Sequence, residues 1–142
     1  MKPSPDIEDR MRRMVDALQR GDVSAIERLT SRETGVVAIG TDPAEYSREF
    51  DEIMRLMHES TPDAGPQIHV HLDTVHAYEE GDVGWVDGTG RFEHDGESVQ
   101  VRMTAVLRRE DGEWHAIQSH ASIGVPNANM FDSTFQTTTT AT

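Results

Sequence analysis

The spacing of apolar residues along this chain changes once, and that change limits the folds open to it. Through about residue 60 they recur at helical spacing; from about Gln67 onward they fall on every second position. A helix repeats about every 3.6 residues and a strand every two. The chain therefore builds helices first and then a run of strands. Such segregation gives an α+β fold and not the alternating units of a parallel sheet.

Ser4-Pro5-Asp6 opens the first helix with a hydroxyl cap, a proline whose φ is already helical, and an acid facing the dipole. Ile7, Met11, Met14, Val15 and Leu18 make one stripe. Gly21 permits a left-handed stop, and Asp22 caps a short second helix carrying Ile26 and Leu29. Val36-Val37-Ala38-Ile39 predicts a strand that ends at Gly40 and is broken by Thr41-Asp42-Pro43. A third helix carries Phe50, Ile53, Met54 and Met57 and stops before Pro62. Beyond Gln67, Ile68, Val70 and Leu72 alternate with His69, His71 and Asp73. Gly81-Asp82 ends that strand. Asp95-Gly96 and Asp111-Gly112 favour turns of positive φ and divide strands near 83–94, 98–110 and 113–124. Residues 1–126 read as one domain, and the polar segment 127–142, with its four threonines at 137–140, reads as a flexible tail.

Thirteen basic residues against twenty-six acidic ones give a formal charge of −13. That balance argues against nucleic acid and against an anionic membrane surface, both of which are met by clustered Lys and Arg. Without cysteine there is no disulfide, thiolate nucleophile or cysteine zinc site. No run approaches the ~20 apolar residues of a membrane span, and the N-terminus lacks a signal core. The expectation is a cytoplasmic protein. No phosphate loop, nucleophile elbow or dinucleotide fingerprint occurs, so no cofactor is expected.

The order of elements, with Gly40-Thr41-Asp42-Pro43 before the third helix, resembles the nuclear transport factor two-like superfamily. The segment from Arg102 to Trp114 and its continuation from Gln118 to Pro126 are similar to the SnoaL-like branch, which also includes the calcium/calmodulin-dependent kinase II association domain. The likeness spans roughly residues 5–126. It implies a cone, three N-terminal helices packed on a strongly bent, mainly antiparallel sheet, with a pocket on the concave face. The other face commonly packs against a second copy, so a homodimer and a small apolar ligand are the implied partners. Isomerases, cyclases, dehydratases and oligomerisation modules share this scaffold, so activity does not follow from the fold.

Parity assigns the strand faces. Val99, Val101, Met103, Ala105 and Leu107 are uniformly apolar and read as inward, opposite Gln100, Arg102, Thr104 and Arg108. Positions that carry pocket arginines in the kinase association domain fall on Asp87, Ala105 and Ala121 here, which agrees with that parity and removes an anion-binding role. The expected pocket is Trp85, Asp87, Thr89, Met103, Ala105, Ile117, Ser119 and Ala121, closed by Met14 or Phe50. Asp87 in such a pocket is a catalytic candidate, a ligand hydrogen-bonding group, or a solvated acid beside a turn; Gly88 and Gly90 allow a bulge that redirects it.

Arg102, Thr104, Trp114, Gln118, His120 and Ser122 fall on the other face, as interface residues, or as the pocket if a bulge reverses the register. His120 would then be the base. His69, His71 and Asp73 have metal-ligand chemistry but no fourth ligand by spacing; a polar strand face is the plainer reading. A ketosteroid isomerase constellation does not match, since the only tyrosines are Tyr46 and Tyr78 and the first helix offers Met11 and Met14. A SnoaL-type cyclase asks only for a pocket acid or base, a role open to Asp87 or His120. The sequence thus points to a small-molecule pocket protein with isomerase, cyclase or hydratase chemistry open to it; the alternative is a noncatalytic oligomerisation or adaptor module.

Overall fold

The computed structural model describes residues 1–60 and 68–131. In order, its elements are β1 (Lys2–Pro3), α1 (Pro5–Arg20), α2 (Val23–Leu29), β2 (Val37–Ile39), β3 (Tyr46–Arg48), α3 (Phe50–Ser60), β4 (His69–Glu80), β5 (Val83–His94), β6 (Glu97–Glu110), β7 (Glu113–Ser122) and a short 3-10 turn, Asn127–Asn129. The strands form one sheet in the order β1-β4-β5-β6-β7-β2-β3. Only β2 and β7 run parallel. Three helices on this curled sheet make the expected α+β cone.

The meander follows its turns. Asp95-Gly96 and Asp111-Gly112 take positive φ at both residues, the conformation that lets a two-residue hairpin match strand twist. The edge strands β1 and β3 were not legible, because two or three residues are too few to show alternation. Of the tail expected over 127–142, residues 132–142 lie outside the described residues, as do Pro62 and Gln67 at the boundaries expected for α3 and β4.

Helix α1 covers the concave face of the meander. Its buried Ile7, Met11 and Val15 pack with Ala77, Val86, Val101, Met103, Leu107 and Trp114. A second cluster joins Ala17, Val23, Ile26, Val36, Phe50, Ile53 and Met54 beneath α2 and α3. Each large side chain so buried contributes about 1.5–3 kcal/mol. Two bulges let the sheet wrap around this core. One lies between Leu72 and Thr74, and the other shifts the partners of Val106 and Leu107, leaving Ile117 as the extra residue of β7.

The first helix is tied to the sheet where it begins. Ser4, fully buried, caps α1 by accepting the Ile7 amide and donates a 2.5 Å hydrogen bond to Glu79 on β4. Lys2 and Arg109 approach the same carboxylate at 3.6 and 3.3 Å. Against the opposing effect of burial, the Ser4 hydrogen bond and then these two cations hold the Glu79 carboxyl below the usual range. A depressed carboxyl stabilises the fold above the unfolded-state pKa and loses that contribution as pH falls through the folded value. Ser4→Ala is expected to lower stability by about 1–2 kcal/mol in urea unfolding. Glu79→Gln should flatten the decline of wild-type stability between about pH 5 and pH 3.

Candidate functional site

A cavity of about 270 Å³ opens between the helices and the concave sheet. Met11, Met14, Val15 and Leu18 of α1 and Ile53, Leu56 and Met57 of α3 form its helical walls. Val86, Phe92, Met103, Ala105, Leu107, Ala116, Ser119 and Ala121 line the sheet side. Arg10, Glu45 and His120 are the titratable groups that border it among the described residues. Arg10 faces Glu113 at 3.9 Å, and Glu45 is exposed, its side chain folded over Gly40. A β-carbon at Gly40 would fall against the Glu45 side chain as it lies here.

The inward parity of β6 matches the sequence reading: Val101, Met103 and Leu107 are buried, and Ala105 borders the cavity beside Met103. Ser119 and Ala121 also border it, opposite Ala105 and Met103. Met14 does so too, whereas Phe50 belongs to the second core with Arg32 stacked on its ring.

On β5 the expectation fails. Its buried positions are Gly84, Val86, Gly88 and Gly90, so Trp85, Asp87 and Thr89 lie on the outer face. Three of these four positions are glycines, where neighbours leave no room for a side chain. A β-carbon at Gly84 would meet Ile7 and, at 2.9 Å, the Tyr78 carbonyl; one at Gly88 would lie 2.8 Å from the Thr74 carbonyl. Trp85 is half-buried between Tyr78 and Val106 in register. Asp87 is 64% exposed and faces His76 at 3.5 Å, outside the cavity.

On β7 the bulge divides the expected face. Trp114 and Ala116 point inward before Ile117; Ser119 and Ala121 point inward after it. Trp114, expected on the outer face, is therefore 4% exposed in the core, with Arg109 stacked 4.5 Å from its ring. Ile117, expected in the pocket, is the unpaired residue of the bulge and does not border the cavity. Gln118, His120 and Ser122 stand on the outer face with Arg102 and Thr104, and Arg102 donates to the Ser122 hydroxyl at 3.1 Å. Thr104, Gln118 and His120 also border the cavity, since a sheet is one chain thick.

His69, His71 and Asp73 do not converge. Arg91 donates to Asp73 at 3.0 Å and holds its carboxyl below the usual range, and His71 pairs with Glu93 at 3.1 Å. Among the described residues no cluster of three or more histidines and carboxylates is arranged to hold a metal. No helix there is long and apolar enough to cross a membrane.

A cone of three helices on a bent seven-stranded sheet, enclosing a cavity on its concave side, is the nuclear transport factor two-like fold. Within it, the chain belongs to the SnoaL-like domain family, whose model matches residues 7–126. Among solved structures, a proposed calcium/calmodulin-dependent kinase II association domain from Thiobacillus denitrificans is 18% identical, with a TM-score of 0.72 over 88% of this chain and 98% of that one. A proposed dehydratase from Streptomyces avermitilis is 21% identical, with a TM-score of 0.70 over 85% and 95%. A proposed ketosteroid isomerase from Parabacteroides distasonis is 17% identical, with a TM-score of 0.67 over 82% and 86%. At these identities the likeness is one of fold. No curated protein sequence matches the chain.

The bulge at Ile117 makes a distinction that unfolding can measure. Trp114→Ala should cost about 3–5 kcal/mol as a core truncation. Asp87→Asn should stay within about 0.5 kcal/mol as a surface change.

Proposed function

We propose that this chain binds one small, largely apolar molecule inside the cone. The observation that carries this reading is the cavity of about 270 Å³, walled by Met, Ile, Leu, Val and Ala side chains from α1, α3 and the sheet. Its volume falls just below the ~300–1,000 Å³ typical of ligand pockets, which suits a compact ligand. Apolar walls with a few polar groups are the ordinary chemistry of such sites. Binding is favoured over turnover because Asp87, the acid expected inside, stands outside. If isomerase, cyclase or hydratase chemistry follows binding, Glu45 at the border is the candidate to move a proton, since the His120 side chain stands on the outer face. The strongly acidic, cysteine-free composition fits a cytoplasmic setting.

A second reading, compatible with the first, is pairing of two copies through the outer sheet face. Tyr78 and Val83 are exposed there, and Trp85 lies in register between Tyr78 and Val106. Aromatic groups in such a patch suit an interface core. The similarity to a proposed kinase association domain also supports it.

Native mass spectrometry and a melting screen of compact apolar compounds test the binding reading. Reproducible stabilisation by members of that set is expected in the wild type and lost in Ala105→Phe, which fills the cavity. Stabilisation that survives Ala105→Phe would place the ligand elsewhere. For pairing, sedimentation should give a dimer in the wild type and a monomer for Trp85→Glu; a monomeric wild type would overturn it.

A further inference from the structure

The sheet side of the cavity contains one row of residues in direct register across five strands. Ser47 of β3 pairs with Ala38 of β2, Ala38 with Ser119 of β7, Ser119 with Ala105 of β6, and Ala105 with Val86 of β5. All five border the cavity. Four of them are alanine or serine, and this is where the room comes from: neighbouring inward positions carry Met103 and Leu107 instead.

The two serines are the polar members of this row. Thr30, also in the lining, donates its hydroxyl to the Ile26 carbonyl at 2.7 Å. Ser47 and Ser119 have no hydrogen-bond partner among the described residues, although Ser47 is only 4% exposed. No fully enclosed side-chain nitrogen or oxygen among the described residues lacks a partner. The two hydroxyls are therefore not fully enclosed, and both residues line the cavity. A hydroxyl left unpaired in apolar surroundings is costly, and it can both donate and accept.

From this geometry we infer that Ser47 and Ser119 are the polar anchors of the cavity. The ligand is a compact, neutral, mainly hydrocarbon molecule bearing a carbonyl or hydroxyl oxygen. Neutrality follows from the border charges: Arg10 already faces Glu113, and Glu45 is exposed to solvent. Two strand spacings of ~4.8 Å separate the serines, roughly 10 Å between Cα atoms. Each hydroxyl thus takes its own partner, and a ligand with one oxygen is held by one of them. The inference rests on the pocket reading and adds the ligand class and the residues that select it.

Two probes of the same skeleton test it: 1-tetralone, which has a carbonyl, and tetralin, which does not. Binding of each to the full chain is measured by titration for the wild type, the double variant Ser47→Ala/Ser119→Ala, and Ala105→Phe. Loss of one net hydrogen bond should weaken 1-tetralone roughly three- to tenfold in the double variant. Tetralin should change by less than about twofold, since its apolar contacts remain. Ala105→Phe should abolish binding of both. If both probes bind and the double variant treats them alike, the anchor role is overturned while the pocket stands. If 1-tetralone binding survives Ala105→Phe, its site is not this cavity and the anchor role is overturned. If neither probe binds the wild type, the pocket reading falls and the inference with it.

Discussion

A four-stranded meander with one apolar face is stable only when something covers that face, and in this chain the cover is α1. The 16-residue helix lays Ile7, Met11 and Val15 across β4 to β7, and the rest of the fold is arranged around that contact. Ser4 fixes where the helix starts, through its cap and through Glu79. Gly21, with φ of +66°, fixes where it stops and turns the chain into α2. A shorter or displaced α1 would leave the sheet's inner face open to water, and the cavity would have no roof.

A single helix cannot fill the space over a wide, curved sheet. Where β5 runs closest to α1 and β4, its inward positions shrink to glycine, and Gly84 gives Ile7 its place. Farther along, towards β7 and β2, the inward residues Ala105, Ala121, Ser119 and Ala38 are all small. The cavity of about 270 Å³ is held open there by these small side chains. The same gradation of side-chain size produces a tight contact at one end and a chamber at the other.

The two bulges give the sheet its curvature and also decide which residues belong to the chamber. Because side chains alternate, one extra residue moves everything beyond it to the other face. At Ile117 this brings Trp114 into the core and keeps Ser119 and Ala121 inside with it, although their numbers differ in parity. The outer face is left with Arg102, Thr104, Gln118, His120 and Ser122, beside the aromatic patch around Trp85. Pocket chemistry and surface chemistry are thereby separated on strands one chain thick.

Much of the fold is legible from local rules. Ser4-Pro5-Asp6, Gly21, Asp22, Asp95-Gly96 and Asp111-Gly112 each carry their instruction in the residues themselves, and β6 is long and regular enough for its parity to name Met103 and Ala105 as inward. Local rules stop at the bulges and the glycines. On β5 the inward set is Gly, Val, Gly, Gly, and such a set leaves no apolar signal, so Trp85 appears to be the buried residue when Gly84 and Val86 are. A bulge has no reliable residue signature, and the edge strands β1 and β3 are too short to have a period. The chain alone determined the three helices, the hairpin turns and the four-stranded meander they join, since each depends on neighbours along the sequence. Tertiary structure alone decided which side chains share the cavity, because that depends on how closely α1 and β4 approach β5 and on one unpaired residue in β7.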